Sequence, residues 1–306
     1  MKSLKISTSE IARICNVSQG TVDRAHNNRP DIKASTKQKI LEVARRYGYR
    51  EYVNATSDRI TGQIGLIVFN LNNEYFADLI TETEYALREY GLGATVMMSH
   101  FDKQYEIECI RNLYNMGVEG IILCSVNSGA EFDNYLKLFD IPIVAVGNRI
   151  DSLPYVGIDD FAAMRDMTSN VLDDTPDNIV YFSPALRYPD AYAQRMRYEG
   201  FLSVVGSAEY CVVTNPENIK SNYNEKTTII CSSDYYAIQA YFKTNNARIV
   251  GFDNIKAIDK YNLSIDSVGY SMAEIARGAV DIIKGNRKDS IIIRHSIVNH
   301  RKNHDV

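Results

Sequence analysis

The sequence predicts an N-terminal all-α helix-turn-helix domain followed by a two-lobed α/β domain with parallel sheets. Three observations carry the prediction. The chain has 306 residues, more than the roughly 100–200 that one domain usually takes. Its apolar pattern changes from helical to strand-like at Ile64. Its charge is also divided: residues 1–60 hold 12 Lys+Arg against 6 Asp+Glu, a balance of +6, which leaves 22 against 32, or −10, for the remainder. Nucleic-acid affinity comes largely from neutralising phosphates, so a basic head on an acidic body points to a polyanion for the head and a different partner for the body. A merely solvated surface could carry the same charge, and the case therefore turns on what the head contains.

The composition, 45% hydrophobic and 24% charged, is that of a globular protein and excludes disordered, collagen-like and disulfide-scaffold classes. No apolar run approaches the ~18 residues of a membrane span. The opening MKSLKISTSEIARICNVS lacks the apolar stretch of a secretory signal, so a cytoplasmic location without membrane contact is expected. Cys15, Cys109, Cys124, Cys211 and Cys231 include no Cys-x-x-Cys pair and read as buried free thiols.

In the head, Ser7 and Glu10 have the spacing of a capping box, and Ile11, Ile14 and Cys15 then fall on one helix face. Val17 and Ser18 close this helix, and Ser18 caps a second from Gln19 to about His26. Ala12 would sit where the two helices approach, with Val17 and Val22 filling the small core and polar side chains pointing outward. Ser35 and Gln38 repeat the capping spacing before Ile40, Leu41, Val43, Ala44 and Tyr47, an amphipathic third helix ended by Gly48.

The run Ile11-Ala12, then Asn16-Val17-Ser18-Gln19-Gly20-Thr21-Val22-Asp23-Arg24, Asn27, Ser35-Thr36, Ile40 and Tyr47-Gly48-Tyr49 resembles the DNA-binding domain of the lactose-repressor (LacI) family of bacterial transcription regulators. The resemblance covers the whole head and implies that the second helix enters the DNA major groove. Gln19 and Gly20 then take two base-reading positions and Arg24 a third, where a guanidinium can meet O6 and N7 of guanine. Ser18 and Thr21 would bond phosphates, and Asn27 belongs to the same surface. Two departures stand out. Gly20 offers no side chain, and Asp23 sets an acid beside DNA, where it could accept from cytosine N4, pair with Arg24, or simply face solvent.

Residues 50–63, REYVNATSDRITGQ, form a polar linker between a head at 1–49 and a body at 64–306. The corresponding family segment folds into a hinge helix on operator DNA and wedges an apolar side chain into the minor groove. This linker is shorter and lacks the family's proline and its Ala-Arg-x-Leu run. Asn54 and Arg59 remain as contacts and Ile60 as the wedge; a bare flexible tether is the alternative.

Strand-like runs recur in the body at 64–69, 94–98, 120–124 and 141–147, separated by amphipathic stretches such as 76–90 and 103–116. After a connection at 155–160 the rhythm resumes at 178–182, 210–213, 227–231 and 247–252. A second connection at 264–270 leads to a helix from Met272 to Lys284 and a final extended run, SIIIRHSIVNH. This is a parallel α/β pattern in two lobes, the first at about 64–158 and 271–289 and the second at about 159–268 and 290–306. Parallel sheets joined by such crossings leave a cleft at the carboxyl ends of their strands.

The body resembles the periplasmic-binding-protein-like effector domain of the same family, which implies a small polar, carbohydrate-like effector between the lobes. Asn70 and Asn73-Glu74-Tyr75-Phe76 match the loop whose aromatic rings stack on a sugar, although Phe76 could equally be a helix-start core residue. Gly147-Asn148-Arg149, Arg197 in the Arg-x-x-Gly-Phe element, Ser233 and Asp253 match the positions that hydrogen-bond ligand, with Arg197 as the clamp. Tyr270 stands at a further polar position. Asn148, Ser233 and Tyr270 replace the family's usual Asp, Asn and Gln, so the resemblance does not name the effector.

No dinucleotide, P-loop or nucleophile-elbow motif is present, so neither catalysis nor a cofactor is expected. His295, His300 and His304 lie in or after the last strand without a cysteine nearby, and no metal site is expected from them. Asp159-Asp160 and Asp173-Asp174 read as a lobe crossover and a helix end. The expectation is a homodimeric transcription regulator, read as a repressor, on a near-palindromic operator. Two alternatives stay open: a small-molecule-binding protein without a regulatory role, and a DNA-binding regulator whose cleft is degenerate.

Overall fold

A computed structural model describes residues 8–26, 32–46, 61–187 and 192–300, with the backbone alone at Asp23, His26, Arg45, Arg46 and Arg187. Three helices open the chain: α1 (Thr8–Cys15), α2 (Gln19–His26) and α3 (Ala34–Arg46). Ile11, Ala12 and Cys15 of α1 meet Val22, Ala25, Ile40 and Ala44 in one small core. The turn between α1 and α2 is made by Asn16 at φ 56°, a left-handed position that asparagine tolerates. Val17 N–H closes back on Ala12 O at 2.9 Å, and the Ser18 hydroxyl accepts from Thr21 N–H at 3.2 Å, capping α2. Helix α3 starts one residue ahead of Ser35: Lys37 N–H bonds Lys33 O at 3.0 Å, which makes Ser35 a first-turn residue rather than the expected cap. Gly48 and the linker residues up to 60 lie outside the described residues.

The body alternates strands and helices. Its first part contains β1 (Gln63–Val68), α4 (Glu74–Arg88), β2 (Gly93–Met98), α5 (Lys103–Met116), β3 (Ile121–Leu123), α6 (Ala130–Leu136), β4 (Ile143–Val146) and β5 (Tyr155–Ile158). The second contains α7 (Asp160–Asp173), β6 (Asn178–Phe182), α8 (Tyr192–Val205), β7 (Tyr210–Val213), β8 (Thr227–Cys231), α9 (Asp234–Lys243), β9 (Arg248–Phe252), α10 (Lys256–Lys260) and β10 (Ile265–Tyr270). The chain ends in α11 (Met272–Ile283), β11 (Ile291–Ile293) and β12 (His295–Val298). Five consecutive residues of β1, Ile64 to Val68, are buried. Such a run suits a strand covered by helices on both faces.

Two six-stranded sheets result, in the orders β11-β5-β4-β3-β1-β2 and β12-β10-β9-β8-β6-β7. Every pairing is parallel except β10 with β12, which is antiparallel and departs from the all-parallel expectation. The stretches 155–160 and 264–270, expected as connections, instead hold β5 and β10. The lobe division expected at about 290 also shifts: Ile291–Ile293 pair with Val156–Ile158 in the first sheet. The last passage between the sheets falls at Arg294, inside an extended run, SIIIRHSIVNH, that has no glycine or proline to mark it.

Helices α7 and α8 lie against each other at Gly200, where an added Cβ would collide with the Phe161 carbonyl of α7. Phe201 is fully buried beside it. This close approach fixes Arg197, nearly one turn earlier on α8, against the start of α7. Four of the cysteines are buried as expected, but Cys211 is exposed, because β7 is an edge strand with three exposed residues. Among the described residues, no helix is long and apolar enough to cross a membrane.

Candidate functional site

Arg197 is 7% exposed, and such burial is tolerable for a charge only with partners. Its Nε donates to Asp160 Oδ1 at 2.8 Å, Nη1 to Ser232 O at 2.6 Å and Nη2 to Asp253 Oδ1 at 3.4 Å. Its guanidinium also lies 3.6 Å from the centre of the Phe252 ring. Burial works against its charge, but Asp253 and Asp160 more than offset this and move its pKa up. The same burial raises both carboxyls despite the pull of Arg197, Asp253 to about 6. Tyr270 Oη donates to Asp253 Oδ1 at 2.8 Å and completes the cluster.

The segment after β9 is held in an unusual shape. Asp253 has φ 108° and Asn254 φ 48°, conformations that need outside support in non-glycine residues. Asp253 N–H bonds Val268 O at 2.9 Å, Asn254 N–H bonds Ser267 Oγ at 3.0 Å, and Ile255 N–H bonds Asp234 Oδ2 at 2.9 Å. Asp234 is fully buried, and burial, reinforced by Asp253, pushes its carboxyl well above the usual range. Asp160, Asp234 and Ser267 thus shape the site, and of these Ser267 is revealed only by the tertiary fold. Asp160 had a sequence signal, its place at a lobe crossing.

Between the lobes lies a cavity of about 250 Å³, lined among others by Tyr75, Asp78 and Glu82 of α4, Asp253, Lys256 and Tyr270. Its lip is bridged directly: Lys256 Nζ meets Asp78 Oδ1 at 2.7 Å, and Ala257 N–H donates to Glu74 Oε2 at 2.9 Å. Of the expected ligand positions, the structure brings Tyr75, Asp253 and Tyr270 to this cavity. Arg197 sits behind Asp253, with three of its five N–H donors bonded to Asp160, Ser232 O and Asp253.

The other expected positions have structural partners. Phe76 is 7% exposed and packs edge-on against Phe69 at 5.2 Å, so the ring facing the cavity is that of Tyr75. Asn73 caps α4 by accepting from Tyr75 N–H, and Asn70 accepts from Asn72 N–H at 3.0 Å. Asn148 spans the lobes, donating from Nδ2 to Ser125 O at 2.8 Å and accepting from Ala193 N–H at 3.0 Å. Arg149 is exposed and lies over the Tyr155 ring at 4.8 Å. Ser233 precedes α9 without a side-chain cap bond.

In the head, Gln19, Gly20 and Arg24 are exposed on α2. Ser18 Oγ and Thr21 Oγ1 share a hydrogen bond of 2.8 Å, and Arg24 Nη2 reaches Thr21 Oγ1 at 3.4 Å. The Asp23 side chain, Asn27, Asn54, Arg59 and Ile60 lie outside the described residues. At the other end of the chain, His295 Nε2 is 3.2 Å from Asp166 and His300 Nε2 is 2.9 Å from Asn254 Oδ1.

Comparison with known proteins accords with this architecture. Catabolite control protein A of Priestia megaterium is 25% identical over 305 residues, covering 92% of each chain. A LacI-family transcriptional regulator from Silicibacter pomeroyi superposes with a TM-score of 0.67 at 18% identity, over 96% of this chain and 98% of that one. A periplasmic binding protein/LacI transcriptional regulator from Alkaliphilus metalliredigens, complexed with D-xylulofuranose, gives 0.66 at 19% identity, over 78% and 97%. Residues 61–269 match the family described as periplasmic binding proteins and sugar binding domain of LacI family, and the chain belongs to that family.

Proposed function

We propose that the chain is a sequence-specific DNA-binding transcription regulator, acting as a repressor, whose operator affinity is set by a small polar molecule held between the two lobes. The observation that carries this reading is the joint presence of an exposed α2 face, bearing Gln19, Gly20 and Arg24, and a cleft assembled from Tyr75, Asp253 and Tyr270. In this reading residues 1–49 form the DNA-binding domain. Ser18 and Thr21 fix the register on phosphates, Arg24 reads guanine, and Asn27, Asn54, Arg59 and Ile60 extend the contact through the linker. A homodimer presents two such heads to the half-sites of a near-palindrome.

Ligand acts by changing the angle between lobes and with it the placement of the heads. Such coupling typically amounts to about 1–3 kcal/mol, or roughly 5- to 150-fold in affinity. Two of the named relatives are described as transcriptional regulators, which supports a non-catalytic role. Selection of duplexes from a random pool by the full chain, followed by nuclease footprinting, tests the reading. A protected near-palindrome is the expected result, and no protected sequence at low salt would overturn it.

A further inference from the structure

The interlobe cavity has an unbalanced wall. Asp78, Glu82 and Asp253 all line it, and among the described lining residues Lys256 is the single cation. Lys256 is already paired with Asp78, while Glu82 has no ion-pair partner among the described residues. Glu74, one turn before Asp78 on α4, adds a further acid at the lip, where it accepts from Ala257 N–H. Arg197 does not redress the balance, because it is shared between Asp160 and Asp253.

A second observation is independent of charge. Asn254 and Ser271 also line the cavity and add polar groups without charge. Tyr75 and Tyr270 supply ring surface in the same cavity. The wall therefore suits a molecule with hydroxyls, an apolar face and a positive charge. A phosphate or carboxylate would bring like charge to a wall that is already acidic.

We propose, building on the reading of this cleft as the effector site, that the effector is a polyhydroxylated molecule carrying a protonated amine, its ammonium met by Glu82 and Asp253. Neutral sugars and sugar phosphates are then poor ligands of the same cavity.

The test uses the full chain with glucosamine, galactosamine and mannosamine, each beside its parent hexose and hexose 6-phosphate, in thermal-shift and calorimetric titrations. At least one amine is expected to raise the melting temperature and to bind about tenfold or more tighter than its parent, a difference of about 1.4 kcal/mol. The 6-phosphates should give no shift. In Glu82→Gln the ratio of amine to parent affinity should fall towards one. A hexose that binds as tightly as its amine, a 6-phosphate that binds more tightly, an unchanged ratio in Glu82→Gln, or silence across the panel would each overturn the proposal. Footprinting on the selected operator separates the two levels: protection with any of these outcomes removes only the cationic class, whereas absence of protection removes the regulator reading as well.

Discussion

Replacing Arg197 by alanine tests the cluster at the base of the cleft. The change removes the donors to Asp160, to Ser232 O and to Asp253. It leaves two carboxylates, with side chains 4% and 5% exposed, without their counter-charge. Breaking a buried pair in this way typically costs about 3–5 kcal/mol. In a body of this size each kcal/mol lowers the melting temperature by roughly 2–4 °C, so a fall of about 6–20 °C is expected at pH 7.5. The loss should shrink at pH 5. Without the guanidinium both carboxyls bind protons more tightly in the folded than in the unfolded chain, and proton uptake on folding then offsets part of the penalty. Circular dichroism melts of both proteins at the two pH values, with Arg197→Lys as an intermediate, supply the measurement. Equal melting temperatures at pH 7.5, or a deficit that does not narrow at pH 5, would refute the reasoning.

Asp253→Asn keeps an acceptor for Tyr270 but abolishes a carboxyl raised from 3.8 to about 6. The folded form binds this proton more tightly, so its contribution to stability falls by about 3 kcal/mol as pH rises from 4 through 6. Urea denaturation at pH 4.5 and 7 should show a correspondingly flatter dependence in the variant. Arg24→Ala is expected to weaken operator binding by about 1–3 kcal/mol while sparing random duplex, as measured by titration at one fixed salt; equal losses on both would argue against base reading. Gly200→Val should drive α8 from the Phe161 carbonyl and lower stability by about 1–3 kcal/mol. A melting temperature unchanged from the parent chain would show that the helices can part there without cost.

The periodic features of the chain were legible before its structure. The strand-like run from Ile64 marked the start of the α/β body, and Ser18 marked the start of α2 because its hydroxyl caps a turn of its own neighbours. Short strands carrying an acid or tyrosine, such as Tyr155–Ile158 and Ile265–Tyr270, read as connections because their alternation is too brief to register. The pair Tyr75-Phe76 displays two adjacent rings, but helix phase decides which one enters the core. Arg197 was legible as a charge in need of acceptors, whereas its pairing depends on Asp160, 37 positions away, a separation that no spacing rule spans.

Each passage between the sheets takes a single residue: Asp159 between β5 and α7, Ser271 between β10 and α11, and Arg294 between β11 and β12. The passages are neighbours, since Ile293 pairs with Ile158 and His295 with Tyr270. Tethers so short and so closely set permit almost no sliding or parting of the halves and leave rotation about one axis as the easy motion. The molecule can therefore respond to whatever enters it along essentially one coordinate, an opening angle. Different visitors differ in how far they turn that dial, and a series of them could be ranked on one scale by small-angle scattering.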